Sequence, residues 1–310
     1  MVDILITEFM DESAVESLKS DFSVHYDPEL VDRPDQLLAL AKSARALIVR
    51  NRTQVRGELL NAAADLCVVG RLGVGLDNID LPACETAGVQ VCPATGANSE
   101  SVVEYVIAGM LMLLRGAYHS NAQMVAGEWP RTQLSGQEIN KRHLGLIGFG
   151  GISRLAARKA KALDMKVSAY DPMIPNDALV WAEEGVEPLS LDELLSQADA
   201  VSLHVPLVKS TQHLINSDSI AKMKPGAVLI NSARGGVVDD AALAKALTEG
   251  ALRGAMLDVF EVEPMTADNP FHGVPNLILT PHIAGVTEES NVRVSSVTAA
   301  NVRRVLQEQQ

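Results

Sequence analysis

The sequence predicts an α/β protein built from two doubly wound parallel-sheet domains, one of them discontinuous. Three observations carry that expectation. Short aliphatic runs alternate with helical patterns along almost the whole chain of 310 residues, the signature of βαβ units. Aromatic residues make up only 4 % of a chain that is 47 % apolar, so the cores must be built from Ala, Val, Leu and Ile, as in strands buried on both faces. Near the middle of the chain a glycine-rich turn joins a strand to a helix.

Taken in order, the first strand is "DILIT", followed by a helix over "DESAVESLKS" with Asp11 as a suitable N-cap. Two further helical patterns, "PDQLLALAKS" and "GELLNAAAD", alternate with the strand runs "ALIVR", "CVVGRL" and "VQVCP". From Asn98 to Trp129 there is no proline, and the apolar pattern predicts one long connecting helix that leaves the first domain. From His143 the alternation resumes with "HLGLIGF", "KVSAY", "AVSLHV", "AVLINSA", "GAMLDVF" and "NLILTP", six strands in all. The tail "TEESNVRVSSVTAANVRRVLQE" is helical and has no strand of its own, so it is expected to pack back onto the first domain.

Charge and cysteine usage exclude some classes of partner. The net charge of −13 argues against nucleic acid or an anionic membrane. No run approaches the apolar length of a membrane span, and the opening "MVDILITEF" is too short and acidic for a signal peptide. Cys67, Cys84 and Cys92 form no C-x-x-C pair and no metal-ligand spacing, so no metal is expected. Cys67 and Cys92 lie in apolar strand runs and are expected in the core. A reducing, cytoplasmic setting follows from this reading.

The glycine turn reads "GLIGFGGIS". Gly148 allows a tight turn after the strand, and Gly150 lets backbone N–H groups approach a pyrophosphate at the start of a helix. The third position of the G-x-G-x-x-G pattern is Ser153, which adds one small side chain to the helix–strand contact. The next strand ends on Asp171, 21 residues after Gly150, where a carboxylate binds ribose hydroxyls. That carboxylate repels a 2′-phosphate, and Pro172 and Met173 offer it no arginine, so NAD is favoured over NADP.

In an open parallel sheet, ligands sit beyond the carboxyl ends of the strands. Three late strands end on chemistry-bearing residues: Arg234 after "AVLINSA", Asp258 and then Glu263 after "GAML", and His282 after "NLILTP". An imidazole can donate the proton to a forming alkoxide, a neighbouring carboxylate favours its charged form, and a guanidinium grips a substrate carboxylate. This set suits reduction of a 2-oxo acid.

The motifs "GRLGVGLDNID", "GANSESVVEYVIAGML", "GLIGFGGI", "HVPL…TQHLIN", "MKPGAVLINSARGGVVDD", "LDVFEVEP" and "LTPHIAG" resemble the D-isomer-specific 2-hydroxyacid dehydrogenases, in that family's order and over nearly the whole chain. The resemblance implies a discontinuous substrate domain over 1–98 plus 286–310 and a Rossmann-type NAD domain over 99–285. It implies a catalytic triad of Arg234, Glu263 and His282. Gly151, Ile152, Asp171 and Val205 would line the dinucleotide, Ala233 and Asp258 would lie at its nicotinamide end, and Gly285 would follow just past the histidine. Backbone N–H groups of Val74, Gly75 and Leu76 would hold the substrate carboxylate. Family members are commonly homodimers, and the long helix from Ser99 to Gly116 is the expected interface. Ser153 and "NKRHLG" depart from the family's usual residues, and neither touches the chemistry.

Substrate choice turns on "VRNRTQV", where Arg50 ends the strand run "ALIVR" of the first domain and Arg52 follows it. Either, Arg52 in particular, is a candidate to bind a second anionic group. "RNRTQVRGELL", "GRLGVGLDNID" and "CPATGANS" are most similar to the (S)-3-sulfolactate dehydrogenase branch, with 3-phosphoglycerate and hydroxypyruvate as competing substrates. Two rival functions share the fold, an NADH-sensing binding protein and a formate-oxidising enzyme. Glu263 beside a histidine counts against the second.

Overall fold

The computed structural model describes residues 2–118 and 120–309, and divides into two units, Met1–Asn98 with Val286–Gln310, and Ser99–Gly285.

The first unit contains β1 (Ile4–Ile6), α1 (Glu12–Lys19), β2 (Val24–Tyr26), α2 (Pro34–Ala41), β3 (Ala46–Val49), α3 (Gly57–Ala62), β4 (Val68–Arg71), α4 (Leu81–Thr86) and β5 (Gln90–Pro93). Asp11 caps α1, its carboxylate accepting the Ser13 N–H at 3.1 Å. All five strands are parallel, in the order β2-β1-β3-β4-β5. Alternate residues of a strand point to opposite faces. Ile4, Ile6 and Ile48 therefore pack on one side, while Leu5, Leu47 and Val49 pack on the other. The strand β2 escapes the aliphatic pattern: it is three residues long, half-buried and at the sheet edge. Cys92 is buried in β5, but Cys67, expected in the core, is only half-buried because it precedes β4.

The second unit runs α5 (Ser99–Arg115), α6 (Asn121–Val125), β6 (His143–Ile147), α7 (Gly151–Ala162), β7 (Lys166–Tyr170), α8 (Leu179–Glu184), β8 (Glu187–Pro188), α9 (Leu191–Gln197), β9 (Ala200–Leu203), α10 (Ser217–Lys222), β10 (Val228–Asn231), α11 (Asp240–Thr248), β11 (Gly254–Leu257) and β12 (Leu277–Leu279). Its seven parallel strands are ordered β12-β11-β10-β9-β6-β7-β8. Counted from β6, that is the dinucleotide-binding order 3-2-1-4-5-6 with one strand added at the end. The two-residue β8 is the strand that the six aliphatic runs do not include. The expected long helix is interrupted: α5 ends at Arg115, Gly116 adopts φ +62°, and α6 is a separate short turn. His119, within that expected helix, lies outside the described residues. As expected, α5 leaves the first unit, and in the second it packs on the sheet, where Val103, Val106, Met110 and Leu114 are buried with Val228, Ile230 and Met256.

The last helix, α12 (Glu288–Glu308), belongs to the first unit, where Val294, Val302, Val305 and Leu306 join Ile4, Ile48 and Val68 in one core. Among the described residues no helix is long and apolar enough to cross a membrane.

Candidate active site

The second unit brings its candidate groups to one edge because all its strands are parallel and each group follows a strand. The topological switch lies where β6 is flanked by β7 and β9, the point at which such sheets bind ligands. Here Gly148 takes φ +87°, and a Cβ on it would lie 2.6 Å from the His204 carbonyl oxygen, so only glycine fits. Gly150 precedes α7 and no side chain caps that helix. Nothing lies within 4 Å of a Cβ placed on Gly150 or Gly151. The start of this twelve-residue helix is thus uncrowded at both glycines, which fits the approach of a dinucleotide pyrophosphate. Ser153 is fully buried with its hydroxyl unpaired, consistent with a packing position rather than a ligand contact.

Asp171 is placed at the end of β7 and braces the turn. Its carboxylate accepts the Phe149 N–H at 2.8 Å and the Met173 N–H at 2.9 Å. Val205 follows β9 and is half-buried. Ser232 Oγ, just past β10, is buried without a hydrogen-bond partner among the described residues. The open cradle, the braced acid and this orphaned hydroxyl all fit a bound dinucleotide.

At β10 the buried Asn231 shapes the turn that carries Arg234. Its side chain accepts the Ala233 N–H and donates to the Arg234 carbonyl oxygen, both at 3.0 Å. Gly235 then lets this turn rest on the next one: a Cβ there would lie 1.7 Å from the Phe260 carbonyl oxygen. No sequence pattern announces Asn231 in this role, since a strand-ending asparagine is common.

Glu263 and His282 meet directly. His282 Nδ1 lies 2.7 Å from Glu263 Oε2, while Glu263 Oε1 accepts the Phe260 N–H at 2.9 Å. The hydrogen bond that His282 donates to Glu263 raises the imidazole pKa above its ordinary value. Burial opposes that rise, the charges of Glu263 and Asp258 assist it, and the charge of Arg234 acts against it. Burial pushes the Glu263 carboxyl up, but the bonds from His282 and the Phe260 N–H, with the His282 and Arg234 charges, hold it below the usual range. The charge of Arg234 thus acts on both partners, and the three residues form one electrostatic group.

His282 itself adopts φ +55°, rare for a residue with a side chain. Asp258, 1 % exposed, holds that loop. Its carboxylate accepts the Thr280 hydroxyl at 2.6 Å, the Ile283 N–H at 2.8 Å and the Ala284 N–H at 2.7 Å. Its carbonyl accepts the His282 N–H at 2.9 Å. The carboxylate therefore has a structural occupation that its place after β11 does not reveal.

In the first unit, Val74, Gly75 and Leu76 form the turn after β4, with Val74 exposed. Gly73 beneath them takes φ +147°, and a Cβ there would strike the Arg71 guanidinium. The loop bearing Arg50 and Arg52 is pinned from two sides. Glu8, buried and unmarked by any motif, accepts the N–H groups of Arg50, Arg52 and Thr53 at 2.9, 3.1 and 3.0 Å. Asn78 donates to the carbonyls of Arg50 and Thr53 at 3.3 and 2.7 Å. Arg50 reaches Asn291 Oδ1 at 2.7 Å and lies 5.8 Å from the Phe9 ring centroid. Arg52 makes a two-pronged pair with Asp32, one bond being 3.1 Å, and both side chains are more than half exposed.

This sheet order and this nucleotide cradle define a dinucleotide-binding domain. Comparison with known proteins narrows the class. Residues 107–284 match the NAD-binding domain of the D-isomer specific 2-hydroxyacid dehydrogenases. Over 307 residues the chain is 56 % identical to an (S)-sulfolactate dehydrogenase of Chromohalobacter salexigens, covering 99 % of both proteins. It is 39 % identical to a D-3-phosphoglycerate dehydrogenase of Methanocaldococcus jannaschii, covering 99 % of this chain but 58 % of that longer protein. A crystal structure of a D-lactate dehydrogenase from Aquifex aeolicus, complexed with NAD and lactic acid, superposes with a TM-score of 0.84 at 30 % identity, over 99 % of this chain and 96 % of that one. The chain belongs to the D-isomer specific 2-hydroxyacid dehydrogenases. It is an NAD-dependent oxidoreductase acting on the CH–OH group of small 2-hydroxy acids.

Proposed function

We propose that this dehydrogenase acts on a 2-hydroxy acid carrying a second anionic group, with (S)-3-sulfolactate as its substrate, 3-phosphoglycerate as the competing candidate with two anionic groups, and hydroxypyruvate, which has a single carboxylate, as the competing candidate without a second anion. The observation that carries this reading is a loop presenting two arginines, Arg50 and Arg52, its backbone fixed by Glu8 and Asn78. The 56 % identity to a sulfolactate dehydrogenase supports the same choice.

In the reaction, Arg234 grips the carboxylate with its planar fork and polarises the C2 oxygen. Backbone N–H groups of Val74, Gly75 and Leu76 offer donors suited to a carboxylate, and Arg52 would pair with the second anion in exchange for Asp32. Glu263 engages His282 Nδ1, leaving Nε2 to give a proton to the C2 oxygen in reduction or take it in oxidation. Bound NAD supplies or receives the hydride at C2. Gly148 and Gly150 would hold its pyrophosphate, Gly151, Ile152, Asp171 and Val205 would line the dinucleotide, and Ala233, Asp258 and Gly285 would lie toward its nicotinamide end.

The protein works as a cytoplasmic homodimer. The three unpaired cysteines support the compartment. The expected interface helix spends its apolar face inside its own unit. The segment after it supports pairing better, because Tyr118, Val125 and Trp129 are 58, 91 and 77 % exposed.

A screen of 2-oxo acids with NADH tests the substrate assignment, comparing the wild type with Arg52→Ala. The expected result is turnover of 3-sulfopyruvate well above pyruvate, with Arg52→Ala losing only the dianionic substrate. Equal effects of Arg52→Ala on pyruvate and sulfopyruvate would remove the second-anion assignment.

A further inference from the structure

Helix α5 carries a tyrosine hydroxyl that the reaction chemistry does not use. Tyr105, Gly109 and Leu113 recur at every fourth position and so share one face of the helix. That face is seated closely on β11. A Cβ on Gly109 would lie 2.3 Å from Met256 Sδ, and one on Gly254 would lie 2.9 Å from Leu113 Cδ2.

This seating brings the Tyr105 hydroxyl to 2.6 Å from Thr280 Oγ1. Thr280 in turn donates to Asp258 Oδ1, also at 2.6 Å. A threonine hydroxyl has one hydrogen, so Thr280 must accept from Tyr105. The chain therefore runs one way, from Tyr105 through Thr280 to Asp258. Burial raises the Tyr105 pKa, the bond with Thr280 lowers it and the charge of Asp258 raises it, leaving the phenol a protonated donor.

Asp258 is the group that brackets the histidine loop, through Thr280 before His282 and through Ile283 and Ala284 after it. We propose that Tyr105 is a positioning residue for the proton-transferring histidine. It acts through Thr280 and Asp258 to hold the His282 backbone in the left-handed conformation that delivers its ring to Glu263. The proposal rests on His282 being the proton-transfer group. The charged groups acting on that ring are Glu263, Asp258 and Arg234. Loosening the bracket lengthens the 2.7 Å contact with Glu263, the interaction that raises the imidazole pKa.

Three variants test it in the full-length chain. Tyr105→Phe removes one oxygen, Thr280→Val removes the relay, and Thr280→Ser keeps a hydroxyl at the same place. The primary readout is the titration of His282 in histidine-labelled protein by NMR without substrate, its signal assigned by comparison with His282→Gln. Parallel readouts are the pH profile of kcat for 2-oxo acid reduction, NADH affinity and Tm. Tyr105→Phe and Thr280→Val are expected to lower the His282 midpoint by about half a unit and kcat about threefold on the alkaline side, as expected for weakening one hydrogen bond. NADH affinity should hold, and Thr280→Ser should behave as the wild type. An unshifted His282 midpoint in both Tyr105→Phe and Thr280→Val, whatever their Tm, would reduce Tyr105 to a packing residue. Wild-type turnover by His282→Gln would instead remove the proton-transfer role of His282, while the NMR midpoint still reports on positioning.

Discussion

Replacing Glu263 by Gln probes the central pair. In the wild type, His282 Nδ1 lies 2.7 Å from Glu263 Oε2. A charge-assisted hydrogen bond of this geometry holds about 1.5–3 kcal/mol when shielded from water. Here the His282 side chain is 46 % exposed and that of Glu263 35 %, so screening reduces the figure to about 1 kcal/mol. With about 1.4 kcal/mol per pKa unit, Glu263→Gln lowers the imidazole pKa by about 0.7 unit. The sign follows from the chemistry. Reduction needs the protonated ring, so reductive activity is complete below the ordinary imidazole value and is lost as pH rises through the raised one. The variant loses it earlier, and above both limbs the rate falls about fivefold from titration alone. Oxidation of the hydroxy acid needs the neutral ring and shifts its acid limb the same way. The assay is kcat/KM for NADH-dependent reduction measured across pH, since that ratio reports the free enzyme. An alkaline limb unchanged from the wild type would refute the assignment of Glu263 as the group that raises His282.

Two further variants separate chemistry from cofactor binding. His282→Ala should collapse turnover in both directions while NADH affinity, read by fluorescence titration, stays within a few-fold of the wild type; near-normal rates would take His282 out of proton transfer. Gly148→Ala forces a Cβ toward the His204 carbonyl, 2.6 Å away, at a φ of +87°. It should weaken NADH binding more than tenfold and cost about 1–3 kcal/mol of stability; wild-type affinity would show that the turn tolerates a side chain and that the cradle is misread.

Much of the site was legible because the fold is locally encoded. Aliphatic runs mark doubly buried strands whatever their partners, and in a parallel sheet a residue after a strand falls on the ligand edge. That is why Gly148, Asp171, Arg234, Glu263 and His282 could be picked from linear order. The edge strands β2 and β8 were not legible, because short and half-exposed segments need little aliphatic character. Glu8, Asn78 and Asn231 were missed for a related reason. Each is an ordinary polar residue whose role is to satisfy backbone groups of a loop distant in sequence.

The sequence by itself determined the fold class, the nucleotide turn and the order in which the reactive groups leave their strands, since each depends on local periodicity or on spacing along one strand–turn–helix unit. Only the tertiary structure decided which atoms meet. The 2.7 Å contact of His282 with Glu263 and the occupation of Asp258 by the histidine loop arise from packing among separate strands. Hydrogen bonds depend on tenths of an ångström set by the whole core, and no pattern along the chain carries that distance.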